Sequence, residues 1–190
     1  LSGTLYKESY TKNGRFHREH DLPCLTEYFG DGAVKLKEFR KNGELHCNGD
    51  SPALIRYHQN GSIRRMIYYK NGEFHRVGGL AADITYYDNG ILKKGVYMEN
   101  DVPHRFGKPA RIDYRADESI CAEYYYKDGY LHREGDLPAE IYFYRDGKPK
   151  LSKYFREGKE YTLGSVEIKE PEEDNIVILL GKRYRLVPLD

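Results

Sequence analysis

The stretch YKNGEFHR, Tyr69-Lys70-Asn71-Gly72-Glu73-Phe74-His75-Arg76, decides how this chain reads. Variants of it recur as Lys12-Asn13-Gly14-Arg15-Phe16-His17-Arg18, Lys41-Asn42-Gly43-Glu44-Leu45-His46 and Lys127-Asp128-Gly129-Tyr130-Leu131-His132-Arg133. A histidine beside an arginine at one place suggests chemistry; at a fixed interval it suggests a scaffold. From His17 to His46, His75 and His104 the step is 29 residues each time, and from His104 to His132 it is 28. The turns Asn13-Gly14, Asn42-Gly43, Asn71-Gly72, Asn100-Asp101 and Asp128-Gly129 step alike. A third marker runs out of phase: Asp31-Gly32, Asn60-Gly61, Asn89-Gly90, Asp117-Glu118 and Asp146-Gly147. Three markers with one period define a tandem repeat, five copies over roughly Tyr10 to Phe155.

Each copy holds two turn signals. Asn-Gly and Asp-Gly tolerate positive φ at both central positions, as a type I′ hairpin requires. Between the turns lie segments of strand length. Two residues after Cys24, Ala53, Ala82, Ala110 and Ala139 stand Thr26, Ile55, Ile84, Ile112 and Ile141. Two further on stand Tyr28, Tyr57, Tyr86, Tyr114 and Phe143, and the positions between are mixed and often charged. This alternation predicts strands with one apolar and one wetter face. No stretch shows a helical period with caps. The predicted fold is all-β: an elongated antiparallel meander of tandem β-hairpin repeats. Residues 1–9 give a lead-in strand, 10–157 the five repeats, and 158–190 a small β cap or attachment segment, because the periodicity stops past Phe155. In that cap, Val166 to Lys169 and Ile176 to Leu180 read as strands around an acidic loop, and Gly181-Lys182 as a turn into Arg183 to Val187.

Composition agrees. The chain of 190 residues has 19 Tyr, 7 Phe and no Trp, and its mean hydropathy of -0.81 leaves little for a thick core. Tyr suits a half-buried pleated surface. The net charge of +1 gives no overall signal for nucleic acid. Three cysteines without regular spacing argue against a disulfide framework and for a reducing compartment. The longest apolar run, Ile176 to Leu180, is far below a membrane span. No basic segment leads into an apolar one at the start, so no signal peptide is expected.

Tandem aromatic-x-x-Asn-Gly units, each followed by a strand, resemble the MORN family of repeats. The version at Asn13 to Gly32, closely copied at Asp128 to Gly147, is similar to the longer variant abundant in giant DNA viruses of the marseillevirus type and in some bacteria and phages. The resemblance covers about three quarters of the chain. It implies a β-hairpin array for protein–protein or protein–lipid contact, and in the viral setting a minor capsid or virion component. The location would then be the virion, or the host or bacterial cytoplasm. The fourth copy departs from the pattern: Asp101 and Glu118 replace glycines and Pro103 precedes His104, so its turns are expected to differ.

Catalytic and metal readings fare poorly. Equivalent residues two strands apart lie roughly 9–10 Å from one another, so His17, His46, His75, His104 and His132 cannot share an ion. They are read as structural, a ring nitrogen donating to a backbone carbonyl of the linker, with Gly14, Gly43, Gly72 and Gly129 as turn residues. Cys24 stands where the other copies have Ala and reads as a small buried side chain. Cys47, beside His46, points to the opposite face of a strand. No catalytic, cofactor or metal residue is assigned. The candidate interaction surface is the row Tyr28, Tyr57, Tyr86 and Tyr114 with a basic stripe of Arg64, Arg65, Lys93 and Lys94. Such a row could stack single-stranded nucleic acid or meet anionic lipid; a solvated face is the simpler reading.

The function expected is a non-enzymatic repeat scaffold docking on other proteins, capsid or virion proteins first. A soluble antitoxin-like or immunity module is the alternative, and peripheral membrane binding a further one. Open edges at Tyr6 and at the C-terminal strands suit self-association.

Overall fold

A computed structural model describes residues 5–99, 101–162, 176–179 and 182–185. It is nearly all β, and its main sheet has twelve antiparallel strands in strict chain order, apart from small hairpins that leave the sheet. Lys7–Ser9 pairs with Leu25–Tyr28, which pairs with Val34–Glu38, and so on to Pro149–Arg156 and Lys159–Tyr161. At ~4.8 Å per strand the sheet runs roughly 50 Å. The only helical element among the described residues is a 3-10 turn at Val77–Gly79, in a linker.

Each copy contains two hairpins rather than one. A long one, such as Leu25–Tyr28 with Val34–Glu38, builds the sheet. A small one follows, Arg40–Lys41 with Glu44–Leu45. The out-of-phase turns close the long hairpins and are not type I′. Gly32 carries the positive φ of 86° while Asp31 does not, and the Asp31 carboxylate accepts from the Ala33 N–H at 3.0 Å. Asn60, Asn89, Asp117 and Asp146 do the same for Ser62, Ile91, Ser119 and Lys148. Asx residues stand there for that bond. A register shift beside each loop, as between Glu27 and Tyr28, adds one bulged residue per copy. The in-phase turns at Asn13, Asn42, Asn71 and Asp128 have positive φ at both central residues, as type I′ requires; Asn13 and Gly14 lie at φ 51° and 73°.

The fourth copy keeps its turns, against expectation. Asp101 and Glu118 take φ of 62° and 65°, the left-handed conformation of the glycines they replace. Met98–Glu99 still pairs with Val102–Pro103. A non-glycine residue reaches this region at a cost of ~1–2 kcal/mol, which the flanking ladders sustain. The periodicity also continues past Phe155. Glu157 and Gly158, at φ 50° and 79°, form a sixth small turn, with Arg156 paired to Lys159. Ile176–Leu179 pairs with Lys182–Arg185 as a separate hairpin; the strand expected over 166–169 and the acidic loop lie outside the described residues.

Both faces carry apolar packing. Cys24, Leu25, Leu36, Leu54 and Ile67 form one buried cluster, covered by Phe16, Tyr69 and Phe74 from the small hairpins. The face expected to be wetter is therefore buried in the first copies. Tyr68, Ala82 and Ile84 form a second cluster with Met66, Tyr86 and Leu92. Cys24, Ala53, Ala82, Ala110 and Ala139 are all wholly buried, which explains their small size.

Candidate interaction surface and inter-repeat ladder

The histidines join one copy to the next. His17 Nδ1 accepts from the backbone N–H of Asn42 at 3.0 Å, the first residue of the next small turn. His46 takes Asn71 at 3.2 Å, His104 takes Asp128 at 3.3 Å and His132 takes Glu157 at 3.3 Å. For His75 the corresponding residue, Asn100, lies outside the described residues. The direction reverses the expected one: the ring accepts from an N–H instead of donating to a carbonyl. Nε2 then carries the proton. It meets Glu19 at 2.8 Å in the first copy and Asn48 at 3.1 Å in the second. The hydrogen bond from His17 holds the Glu19 carboxyl below its ordinary range.

The arginines brace each linker. Arg18, Arg76, Arg105 and Arg133 stack on Tyr10, Tyr68, Tyr97 and Tyr125 at 3.6–3.9 Å. Arg18, Arg76 and Arg133 also donate to the carbonyls of Pro23, Ala81 and Pro138, five residues on. Cys47 replaces this arginine, and its thiol is buried, with desolvation raising its pKa. The linker carboxylates reach across copies. Asp21 accepts from the Asn48 side-chain amide at 2.9 Å, and Asp50 takes both Nε and Nη2 of Arg76 at 2.8 and 3.0 Å. Asp136 accepts from Arg156 at 2.8 Å.

At the other end of the sheet a second ladder went unread in the sequence. His58 Nε2 lies 3.2 Å from the Tyr86 carbonyl, Tyr87 donates to the Tyr114 carbonyl at 2.9 Å, and Arg115 donates to that of Phe143. Phe29, His58, Tyr87, Arg115 and Tyr144 have no one residue type in common, and three of them, His58, Tyr87 and Arg115, reach a carbonyl of the next copy.

The Tyr row is half-buried. Tyr28 donates to Glu8 at 3.0 Å, and Tyr86 and Tyr114 line a shallow groove above Gly95. Burial raises the pKa of Tyr57 and Tyr114. The basic stripe is divided. Arg65 forms a bidentate pair with buried Asp83 at 2.7 and 2.8 Å, and Lys94 lies 3.8 Å from the same carboxylate. Arg64 and Lys93 are the bulged, exposed residues, with Lys93 over Tyr87 at 5.1 Å. Two of the four cations thus belong to the sheet and two to solvent.

Among the described residues no group of three His, Cys, Asp or Glu side chains could hold a metal ion, and no helix is long and apolar enough to cross a membrane. No protein-family model, curated protein or solved structure matches the chain.

Proposed function

We propose that this chain is a non-enzymatic repeat scaffold that docks on other proteins. One observation carries the reading: the recurring His, Arg and Asp side chains are engaged in bonds within and between copies. The residues that first suggested chemistry thereby hold an extended surface in register. The resemblance to MORN-type repeats supplies the setting, a minor capsid or virion component of a large DNA virus. Cross-linking and quantitative mass spectrometry of purified particles test it. Stoichiometric recovery with cross-links to capsid proteins is expected. Absence from particles removes the viral setting, and a chain cross-linking to no protein in its native assembly removes the docking reading.

A further inference from the structure

The inter-repeat carboxylate is used wherever a linker has one: Asp21 on Asn48, Asp50 on Arg76, Asp136 on Arg156. The third copy's linker has none, with Gly79 at that position, and neither has the fourth copy's, which puts Lys108 there. The fourth copy's linker is one residue shorter, six positions from His104 to Ala110 against seven from His75 to Ala82. It reads Phe106-Gly107-Lys108 where the next reads Glu134-Gly135-Asp136.

Two donors there lack an acceptor that some of their counterparts have, and among the described residues Arg105, in the same cleft, meets no carboxylate either. Arg133 stacks on Tyr125 as Arg76 does on Tyr68, and donates to Pro138. Among the described residues it meets no carboxylate, whereas Arg76 has Asp50. His104 has Phe106 two residues on, where His17 and His46 have Glu19 and Asn48, and its Nε2 lies 3.7 Å from the nearest carboxylate, Glu99. Phe106 is 94% exposed, the most exposed large apolar side chain described. With Leu137 and Tyr125 it lines a cleft of about 360 Å³ that also holds His104, Lys108 and Arg133. Glu134, on the rim, is paired with Lys127 at 2.8 Å.

The geometry points to a docking pocket for an acidic–apolar peptide segment of a partner protein. A partner carboxylate takes the Arg133 fork as Asp50 takes that of Arg76, and a neighbouring apolar side chain covers Phe106 and Leu137. Charge complementarity selects this occupant: a planar guanidinium already stacked on a ring is pre-organised for a bidentate carboxylate. An aromatic anchor beside it is the composition of an interface hot spot. The inference rests on the docking reading and specifies the partner's chemistry.

The test pans the full chain against a random dodecapeptide display library, then measures a selected synthetic peptide by fluorescence anisotropy. Selected sequences are expected to place Asp or Glu within a few residues of Leu, Ile or Phe. Affinity should fall about tenfold or more in Lys108→Asp, Arg133→Gln and Phe106→Ser, and equally when the peptide's acid is made its amide. Lys108 is exposed, so Lys108→Asp retains the fold and supplies the missing carboxylate from within. Peptides without an acidic–apolar pattern, or equal binding to Lys108→Asp, overturn the proposal. So does binding of phosphatidylserine vesicles in place of peptide, or self-association that Lys108→Asp abolishes. If native partners still cross-link to Lys108→Asp undiminished, the pocket falls and the scaffold stands; if no partner cross-links at all, the scaffold reading falls first.

Discussion

A histidine ring whose Nδ1 accepts an N–H must be neutral, with its remaining proton on Nε2. His17, the most buried of the ladder, shows what this bond is worth. Replacing it by Leu leaves the Asn42 N–H without a partner, a loss of about 1–3 kcal/mol. His17→Asn keeps an acceptor one bond beyond Cγ, near the position of Nδ1, so urea denaturation should show it milder than His17→Leu. Asp50 gives the ladder a pH dependence. Its hydrogen bonds with Arg76 hold the carboxyl below its ordinary range. Folded Asp50 therefore binds a proton less readily than unfolded Asp50. Its stabilisation is present above the unfolded pKa of ~3.9 and fades as pH falls through the lower folded value. Wild type should exceed Asp50→Asn in stability at neutral pH and converge with it in acid, as read by denaturation at both. The positions of these residues were legible from spacing alone. The direction of the histidine bond was not, because it depends on which group of the next copy lies opposite.

Turns decide how copies are punctuated, and they separate two demands that a glycine meets. Gly14 needs only its positive φ, since a Cβ there would meet nothing within 4 Å. Gly129 has φ 84° and a built Cβ would lie 3.2 Å from Val102 of the preceding small hairpin. Gly129→Ala should therefore cost more than Gly14→Ala, which is expected near 1 kcal/mol; paired thermal melts check the order. Glu118→Gly should raise stability by up to about 1 kcal/mol, because it relieves a left-handed glutamate in a loop whose other copies use glycine. The long and small hairpins both announce themselves by Asn-Gly or Asp-Gly, so the sequence showed where they are but not that they differ in type. The sixth turn escaped because Glu157 occupies the Asn/Asp position. The loop-end ladder escaped because side chains as unlike as His58, Tyr87 and Arg115 fill one role.

Every main-sheet strand pairs only with its neighbours in order, so stability is close to a sum of copies and their interfaces. Damage should then stay local. Ala82→Leu places a large side chain at a wholly buried position, an overpacking cost of about 1–3 kcal/mol. Hydrogen exchange should show lost protection in the strands beside Ala82 and little change near Cys24 or Ala139. The two terminal strands, Lys7–Ser9 and Lys159–Tyr161, are short and carry charge, and the part of Pro149–Arg156 that the last strand leaves unpaired begins with a proline and a lysine, features that discourage edge-to-edge pairing.

The histidine bond spans 25 residues forward in three of the four cases seen and 24 in the other, where the linker is shortened. A copy thus needs to recognise nothing beyond the one that follows it. Duplicating a whole unit in the gene would insert a module already fitted on both sides and extend the sheet by two strands, about 10 Å. Length is accordingly the property of this molecule most open to evolutionary change, and a linker of altered length or charge is where one module acquires an individual identity.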